Sequence, residues 1–206
     1  MEPKERILGK ANELFHRYGI RSVSMDDIAA QLGMSKKTLY QYFVDKDELV
    51  TAVLDITLAE NRDQCMVCNQ KGEDVIHEIF LSLDMLKEML SNMNPALMFD
   101  LQKYHHKAYS KFLDFRNNFL YKVIKENLEK GKEEGLYRED IDTEILTRYR
   151  LHTLMISFDS DVFPSNRTNL IYIEEQLLEH FLYGLATAKG QKLIQKYKTQ
   201  RKKQNS

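Results

Sequence analysis

Residues 24–43 read SMDDIAAQLGMSKKTLYQYF, a sequence typical of two short helices joined by a tight turn. Ser24 is a helix N-cap residue, and Asp27 stands three positions later, where a capping box needs an acceptor. Gly33 favours the left-handed backbone that ends a helix, and Ser35 follows as the next N-cap. The spacing therefore predicts a helix-turn-helix, the motif that places its second helix in the major groove of DNA.

Further helices are predicted on both sides of this motif. Apolar residues recur at helical spacing from Ile7 to Tyr18, and Gly19 is placed to end that helix. Asp45 is the expected N-cap of a fourth helix, with Glu48 at its capping-box position. Four helix starts in so short a segment indicate a compact helical DNA-binding module.

The helix after Ser35 is expected to present a polar face. At about 100° per residue, a helix with Leu39 and Phe43 towards the core points Lys37 and Gln41 in the opposite direction. The flanks of this face carry Thr38, Tyr42, Lys36 and Tyr40. Cations, an amide, a hydroxyl and phenols suit phosphate oxygens and base edges. Lys46 adds a cation in the first turn of the following helix, beside backbone N–H groups that can hold a phosphate. From spacing alone, an ordinary helical bundle with a solvated lysine face remains an alternative.

The same residues resemble the TetR family of one-component repressors in order and spacing. The segments that carry the resemblance are residues 7–15, Gly19, 24–29, 32–35, 38–43 and 46–49. The rest of the chain is similar to the family in size and helix layout alone. The resemblance implies an all-α fold of about nine helices. It implies a three-helix DNA-binding domain at residues 1–48, followed by a helical effector-binding and dimerisation domain at residues 49–206.

The resemblance also implies particular roles for the polar residues. Base contacts are expected from Lys36, Lys37, Tyr40 and Gln41. Phosphate contacts are expected from Ser24, Thr38, Tyr42 and Lys46, and Ser35 belongs to the same DNA-binding set. The implied function is repression by a homodimer bound to a palindromic operator in double-stranded DNA, with release by a small-molecule effector. Activation instead of repression stays open, since the sign depends on where the operator lies.

Beyond the DNA-binding module the pattern predicts further helices. They are expected near residues 73–91, 96–103, 108–134 and 142–158, and from 170 onward. Residues 61–72 are mostly polar and predict a loop or a frayed helix end, and residues 159–169 predict a loop. The most hydrophobic late helices, 142–158 and 170–188, are the expected dimer interface through a four-helix bundle. The basic segment after Gly184 is expected to continue the last helix and then fray.

An aromatic cluster marks a candidate effector pocket. Seven aromatic residues fall between Phe99 and Tyr121, and a pocket lined by aromatic side chains with a few polar tips fits this pattern. The candidate lining is Phe99, Tyr109, Phe112, Phe115, Phe119, His152, Met155 and Phe158. Such a pocket predicts an apolar or aromatic effector. The alternative for each of these residues is plain core packing.

Other motifs give weaker signals. Cys65 and Cys68 form a lone CxxC that fits a redox pair, half a zinc site or two free thiols. His105, His106 and His152 have no third metal ligand at a known spacing. The sequence contains no catalytic triad, phosphate-binding loop or dinucleotide-binding glycine pattern, so no enzyme, cofactor or metal is expected. A helical adaptor that has lost DNA binding is a further alternative.

Composition places the chain in the cytoplasm. No run of eighteen apolar residues and no secretory signal is visible, so no membrane association is expected. Two cysteines in 206 residues fit a reducing compartment. The formal net charge of −1 means that any DNA contact depends on locally placed cations.

Overall fold

A computed structural model describes residues 2–91, 93–159, 161–164 and 169–204. These residues form α-helices and one π-helical segment, and no strand occurs among them; the all-α prediction is confirmed. The α-helices are α1 (Pro3–Tyr18), α2 (Met25–Leu32), α3 (Lys36–Tyr42), α4 (Lys46–Lys71), α5 (Val75–Leu90), α6 (Ala96–Tyr104), α7 (His106–Asp114), α8 (Tyr121–Glu133), α9 (Thr143–Ile156), α10 (Leu170–Leu185) and α11 (Ala188–Gln204). The π-helix is Phe115–Leu120, between α7 and α8.

The chain forms two compact units. The first contains Met1–Asn61 and Ser91–Phe115, and the second contains Arg62–Leu90 and Arg116–Ser206. These units do not coincide with the expected domains 1–48 and 49–206, because α6 and α7 pack with the N-terminal helices. The division into functional domains stays a prediction.

The first unit has a core that the N-terminal helices share with α6 and α7. Leu101 and Ala108 are almost fully buried in the same cluster as the apolar residues of α1 to α4. A polar contact fixes α6 at the loop after α1: the buried Asp100 carboxylate accepts the Arg21 backbone N–H at 2.8 Å. The N-terminal helices therefore do not bury their apolar faces alone.

The second unit is built around helices α5, α8, α10 and α11. Its largest fully buried side chain is Tyr137, just beyond Gly135, which has φ 65°. The Tyr137 ring lies against Gly131, where an added Cβ would fall 2.0 Å from a ring carbon. The Tyr137 hydroxyl donates to Asn127 Oδ1 at 3.1 Å. Gly131 therefore makes room for the central aromatic ring of this core.

Two expectations about local structure were wrong. Of the two alternatives for residues 61–72, the loop is wrong, because residues 61–71 form the last turns of α4. The polar side chains there are tolerated because the helix is largely exposed, while Cys65 is buried. The basic C-terminal segment does not continue α10, because the backbone becomes extended at Ala186, which bridges to Tyr137 before α11 begins.

Candidate DNA-binding surface

The start of α2 is held by the predicted capping box. Ser24 Oγ accepts the Asp27 backbone N–H at 3.1 Å, and the Asp27 carboxylate accepts the Ser24 backbone N–H at 2.8 Å. The Ser24 hydroxyl also donates to Asp27 at 2.6 Å. These hydrogen bonds from Ser24 hold the pKa of the Asp27 carboxyl below its ordinary value. The expected N-cap is confirmed, and the proton of its hydroxyl is engaged within the protein.

The turn between α2 and α3 depends on a left-handed glycine. Gly33 has φ 64° and ψ 29°, and its N–H donates to Ala30 O at 3.1 Å. The N–H of Met34 then donates to Ala29 O at 3.0 Å, so two carbonyls at the end of α2 are satisfied. A residue with a Cβ would be strained in this conformation. The predicted helix end is confirmed.

Helix α3 presents the face that its sequence predicts. Ser35 Oγ accepts the Thr38 backbone N–H at 3.1 Å and lies 2.8 Å from Thr38 Oγ1. Leu39 and Phe43 are buried in the core of the first unit. The exposed side chains of the helix are Lys36, Lys37, Tyr40, Gln41 and Tyr42. A short helix with a buried apolar edge and this polar outer face has the chemistry needed to read a DNA groove.

The two lysines at the start of α3 have different electrostatic surroundings. Lys36 Nζ lies 2.9 Å from Asp26 Oδ1 and 3.0 Å from Asp26 Oδ2. This bond to the carboxylate raises the pKa of Lys36 above its ordinary value. Among the described residues Lys37 forms no such ion pair. Sequence reasoning missed Asp26, which precedes Lys36 by ten residues in another helix.

Lys46 begins α4 beside a well-capped helix end. Asp45 Oδ1 accepts the Glu48 N–H at 2.8 Å, and the Glu48 carboxylate accepts the Val44 N–H at 2.7 Å. Lys46 is half-buried, and burial lowers its pKa, while the nearby Asp100 acts in the opposite direction. The cation thus lies at a helix N-terminus, where backbone N–H groups favour an anion.

The candidate pocket residues are distributed over both compact units. Phe99, Tyr109, Phe112 and Phe115 belong to the first unit, and Phe119, His152, Met155 and Phe158 belong to the second. Tyr109 and Phe112 stack with ring centroids 6.1 Å apart and pack against the first core, which favours core packing for these two. Phe99 and His152 are exposed. The pocket as a whole stays a prediction.

A groove of about 570 Å³ lies in the second unit between α5, α10 and α11. None of the candidate pocket residues lines it. Its apolar floor, which includes Phe80, Leu83 and Leu182, is already buried. The rim cation Lys198 is paired with Glu179. The groove therefore offers little uncovered apolar surface to a ligand.

The cysteines have the properties of unreactive thiols. Burial raises the pKa of Cys65 to about 11, and burial also raises the pKa of Cys68. Reactive cysteines have lowered pKa values instead, so the two thiols, which are free, lack the activation that a redox pair needs.

His105 is buried and pairs with Asp47.

In the described part of the chain, no three His, Cys, Asp or Glu side chains cluster closely enough to hold a metal ion. Within the same residues, no helix has the length and apolar character that crossing a bilayer requires.

The arrangement of α1 to α4 defines a helix-turn-helix DNA-binding domain, and comparison with known proteins places it in a family. Residues 7–53 match the family described as "Bacterial regulatory proteins, tetR family". The uncharacterized HTH-type transcriptional regulator YvaF of Bacillus subtilis (strain 168) is 34% identical over 106 residues, 51% of this chain and 55% of that protein. The predicted resemblance is confirmed: the chain carries a TetR-family DNA-binding domain.

Solved structures match the helix layout over most of the chain. The ketosteroid transcriptional regulator KstR2 of Mycobacterium tuberculosis has a TM-score of 0.64 and 20% identity, covering 90% of this chain and 96% of its own. The fatty acid degradation regulator FadR from Bacillus halodurans has a TM-score of 0.69 and 18% identity, covering 88% and 96%. These structures confirm the fold, an N-terminal helix-turn-helix followed by a helical domain. The curated match spans only about half the length of YvaF, but it is to a regulator and not to an enzyme.

Proposed function

We propose that this chain is a cytoplasmic, sequence-specific transcriptional regulator that binds a palindromic DNA operator as a homodimer and represses until a small molecule releases it. The observation that carries the proposal is the outer face of α3. Lys37, Tyr40 and Gln41 are exposed on a helix whose inner side, at Leu39 and Phe43, is fixed in the core. A helix held in this way can enter the major groove without rearranging its own packing.

The proposed contacts divide by chemistry. Lys36, Lys37, Tyr40 and Gln41 are assigned to base edges. The phosphate contacts are assigned to Ser24, Ser35, Thr38, Tyr42 and Lys46. The hydrogen bond between the Ser35 and Thr38 hydroxyls supports the assignment of both residues to phosphates. This bond uses only one of the two hydroxyl protons, so the other hydroxyl can donate to a phosphate. The Ser24 proton is already donated to Asp27, so the support for Ser24 is its capping of the helix rather than a free donor.

Dimerisation through α9 and α10 is supported by exposed apolar side chains. On α9, Ile145, Tyr149 and Ile156 are 63%, 45% and 37% exposed, and they lie within about 40° of one another around the helix. On α10, Tyr172 is 56% exposed. These apolar side chains, with the exposed His152 between Tyr149 and Ile156, form a stripe of the kind that marks an interaction site. A second copy of the same helices covers it in a four-helix bundle.

Effector binding is assigned to the aromatic region around the π-helix. Phe115 and Phe119 lie on this segment, and π-helical turns occur frequently at functional sites. The full candidate lining remains Phe99, Tyr109, Phe112, Phe115, Phe119, His152, Met155 and Phe158. The names of KstR2 and FadR, which refer to ketosteroids and to fatty acid degradation, agree with an apolar effector for this chain.

Selection from random DNA duplexes with the purified protein tests the proposal. We expect enrichment of a palindromic consensus whose binding weakens steeply with salt, because phosphate contacts release counterions. Enrichment of half-sites alone would contradict the dimer. If no sequence is enriched above background, sequence-specific DNA recognition is refuted. The helical adaptor that has lost DNA binding is then the remaining hypothesis.

A further inference from the structure

The first two residues of α3 are both lysines, but only the first is charge-compensated. Both carboxylate oxygens of Asp26 lie within 3.0 Å of Lys36 Nζ. Lys36 Nζ also lies 5.9 Å from the centre of the Tyr40 ring. Lys37 is exposed, and in the described residues it has no carboxylate partner. Two neighbouring lysines on one DNA-facing helix thus carry different effective charges.

This difference matters because nonspecific DNA binding depends on net positive charge. Each cation that neutralises a phosphate contributes about 0.9 to the slope of binding against salt. A lysine that already has a carboxylate partner adds little to that term, since the pair is neutral. The pair is also weak, because both side chains are about 60% exposed and water screens them. A DNA group in the right position can therefore replace the carboxylate.

We propose that Asp26 is a specificity-determining residue, which withholds the Lys36 ammonium from nonspecific phosphates and yields it where the correct operator offers an acceptor at that position. Asp26 itself contacts no base in this proposal. It acts through its ion pair with Lys36. The inference rests on the proposed function, since it requires α3 to face DNA. The inference predicts that removing the Asp26 carboxylate strengthens binding to nonspecific DNA more than binding to the operator.

A set of matched variants tests this role through the affinity for a selected operator and for a scrambled duplex. In D26N we expect scrambled-duplex affinity to rise by roughly three- to eightfold at 0.1 M salt, with a salt slope steeper by about one. The operator affinity should change less, so the ratio of the two affinities falls. K37M should make the slope shallower by about one, and K36M should weaken scrambled-duplex binding, because Asp26 is left as an uncompensated negative charge.

The double variant separates an effect through Lys36 from direct repulsion of DNA by Asp26. In the K36M background, D26N should raise both affinities by relief of repulsion but leave the ratio of operator to scrambled-duplex affinity unchanged, because no paired ammonium remains to be freed. A control, D55N, removes the carboxylate of the exposed pair between Asp55 and Lys111. D55N changes the net charge of the protein by the same amount as D26N. It should leave the ratio of operator affinity to scrambled-duplex affinity unchanged.

Three results would overturn the proposal. They are an unchanged ratio and slope in D26N, an equal fall of the affinity ratio when D26N is made in the K36M background, and an equal fall of the ratio in D55N. Thermal unfolding of each variant checks that the helices remain intact. If the wild-type protein binds operator with a steep salt slope and D26N is inert, only this inference fails. If the wild-type protein binds no duplex, the proposed function fails and this inference with it.

Discussion

The two compact units satisfy their buried charges in different ways. In the first unit the polar residues assigned to function, such as Lys37 and Gln41, are exposed, and the buried Asp100 carboxylate accepts the Arg21 backbone N–H. In the second unit, a charged pair lies inside: Arg150 and Glu174 are both buried, on α9 and α10. The first unit thus meets a buried carboxylate with a backbone donor, whereas the second unit meets one with an oppositely charged side chain.

The interior pair is incompletely satisfied. Glu174 Oε1 accepts the Ser157 hydroxyl at 2.6 Å, but within the described residues Glu174 Oε2 has no hydrogen-bond partner. The Arg150 guanidinium lies 3.8 Å from that carboxylate. Burial raises the pKa of Glu174 and lowers the pKa of Arg150. Desolvation thus opposes both charges, and the Glu174 carboxylate is the counter-ion of a guanidinium that stays protonated at neutral pH.

The largest expected effect comes from breaking this pair. Glu174→Leu leaves the Arg150 guanidinium buried without a counter-ion and should lower the free energy of unfolding by about 3–5 kcal/mol. Urea denaturation measures the loss. The double variant with Arg150→Met should lose much less than the sum of the single variants, because no unpaired charge remains. Additive losses would show that the two residues act independently.

A smaller effect is expected at the exposed stripe of α9. Ile145→Lys should weaken self-association by roughly 2 kcal/mol, as for a central apolar residue of an interface. Sedimentation velocity at micromolar concentration should then detect a monomer fraction. Lys122→Ala, a change at an exposed residue of α8, is the matched control. A variant that remains fully dimeric would exclude this part of α9 from the interface.

The smallest expected effect tests the local geometry of the first unit. Gly33→Ala should cost about 1–2 kcal/mol, because φ at this residue is positive. Gly9→Ala, within α1, should instead stabilise by about 0.5–1 kcal/mol. An added Cβ meets no atom within 4 Å at either glycine. The difference in stability between the two variants therefore depends on backbone conformation alone. Equal melting temperatures for the two variants would contradict the assigned turn.

The sequence predicted the starts of helices α1 to α4 well, because the signals there are local. A cap such as Ser24 and its partner Asp27 are three residues apart, and Gly33 specifies a turn without any distant contact. Contacts between distant residues could not be predicted in this way. Asp100 lies 79 residues from Arg21, whose backbone N–H it accepts. Asp26 was missed for the same reason, since only the turn brings it to Lys36.

The second unit was harder to predict because the sequence does not indicate which of its polar residues are buried and which are exposed. Residues 61–72 have the composition of a loop, yet they complete α4, since an exposed helix tolerates polar side chains. Nothing near Arg150 in the sequence indicates that it is buried against Glu174, which lies on the next helix. The aromatic residues from Phe99 to Phe119, which are divided between the two units, likewise do not reveal whether they pack a core or line a pocket.

Binding of the selected operator by a variant that changes only the outer face of α3 tests the central claim most directly. Lys37→Ala together with Gln41→Ala leaves the caps and the buried Leu39 and Phe43 in place, so the unfolding temperature should stay close to wild type. Loss of about 1–3 kcal/mol per residue predicts operator binding weaker by at least tenfold, with the preference for operator over scrambled DNA reduced. Wild-type affinity and preference in this folded variant would contradict the assignment of α3 as the DNA-reading helix.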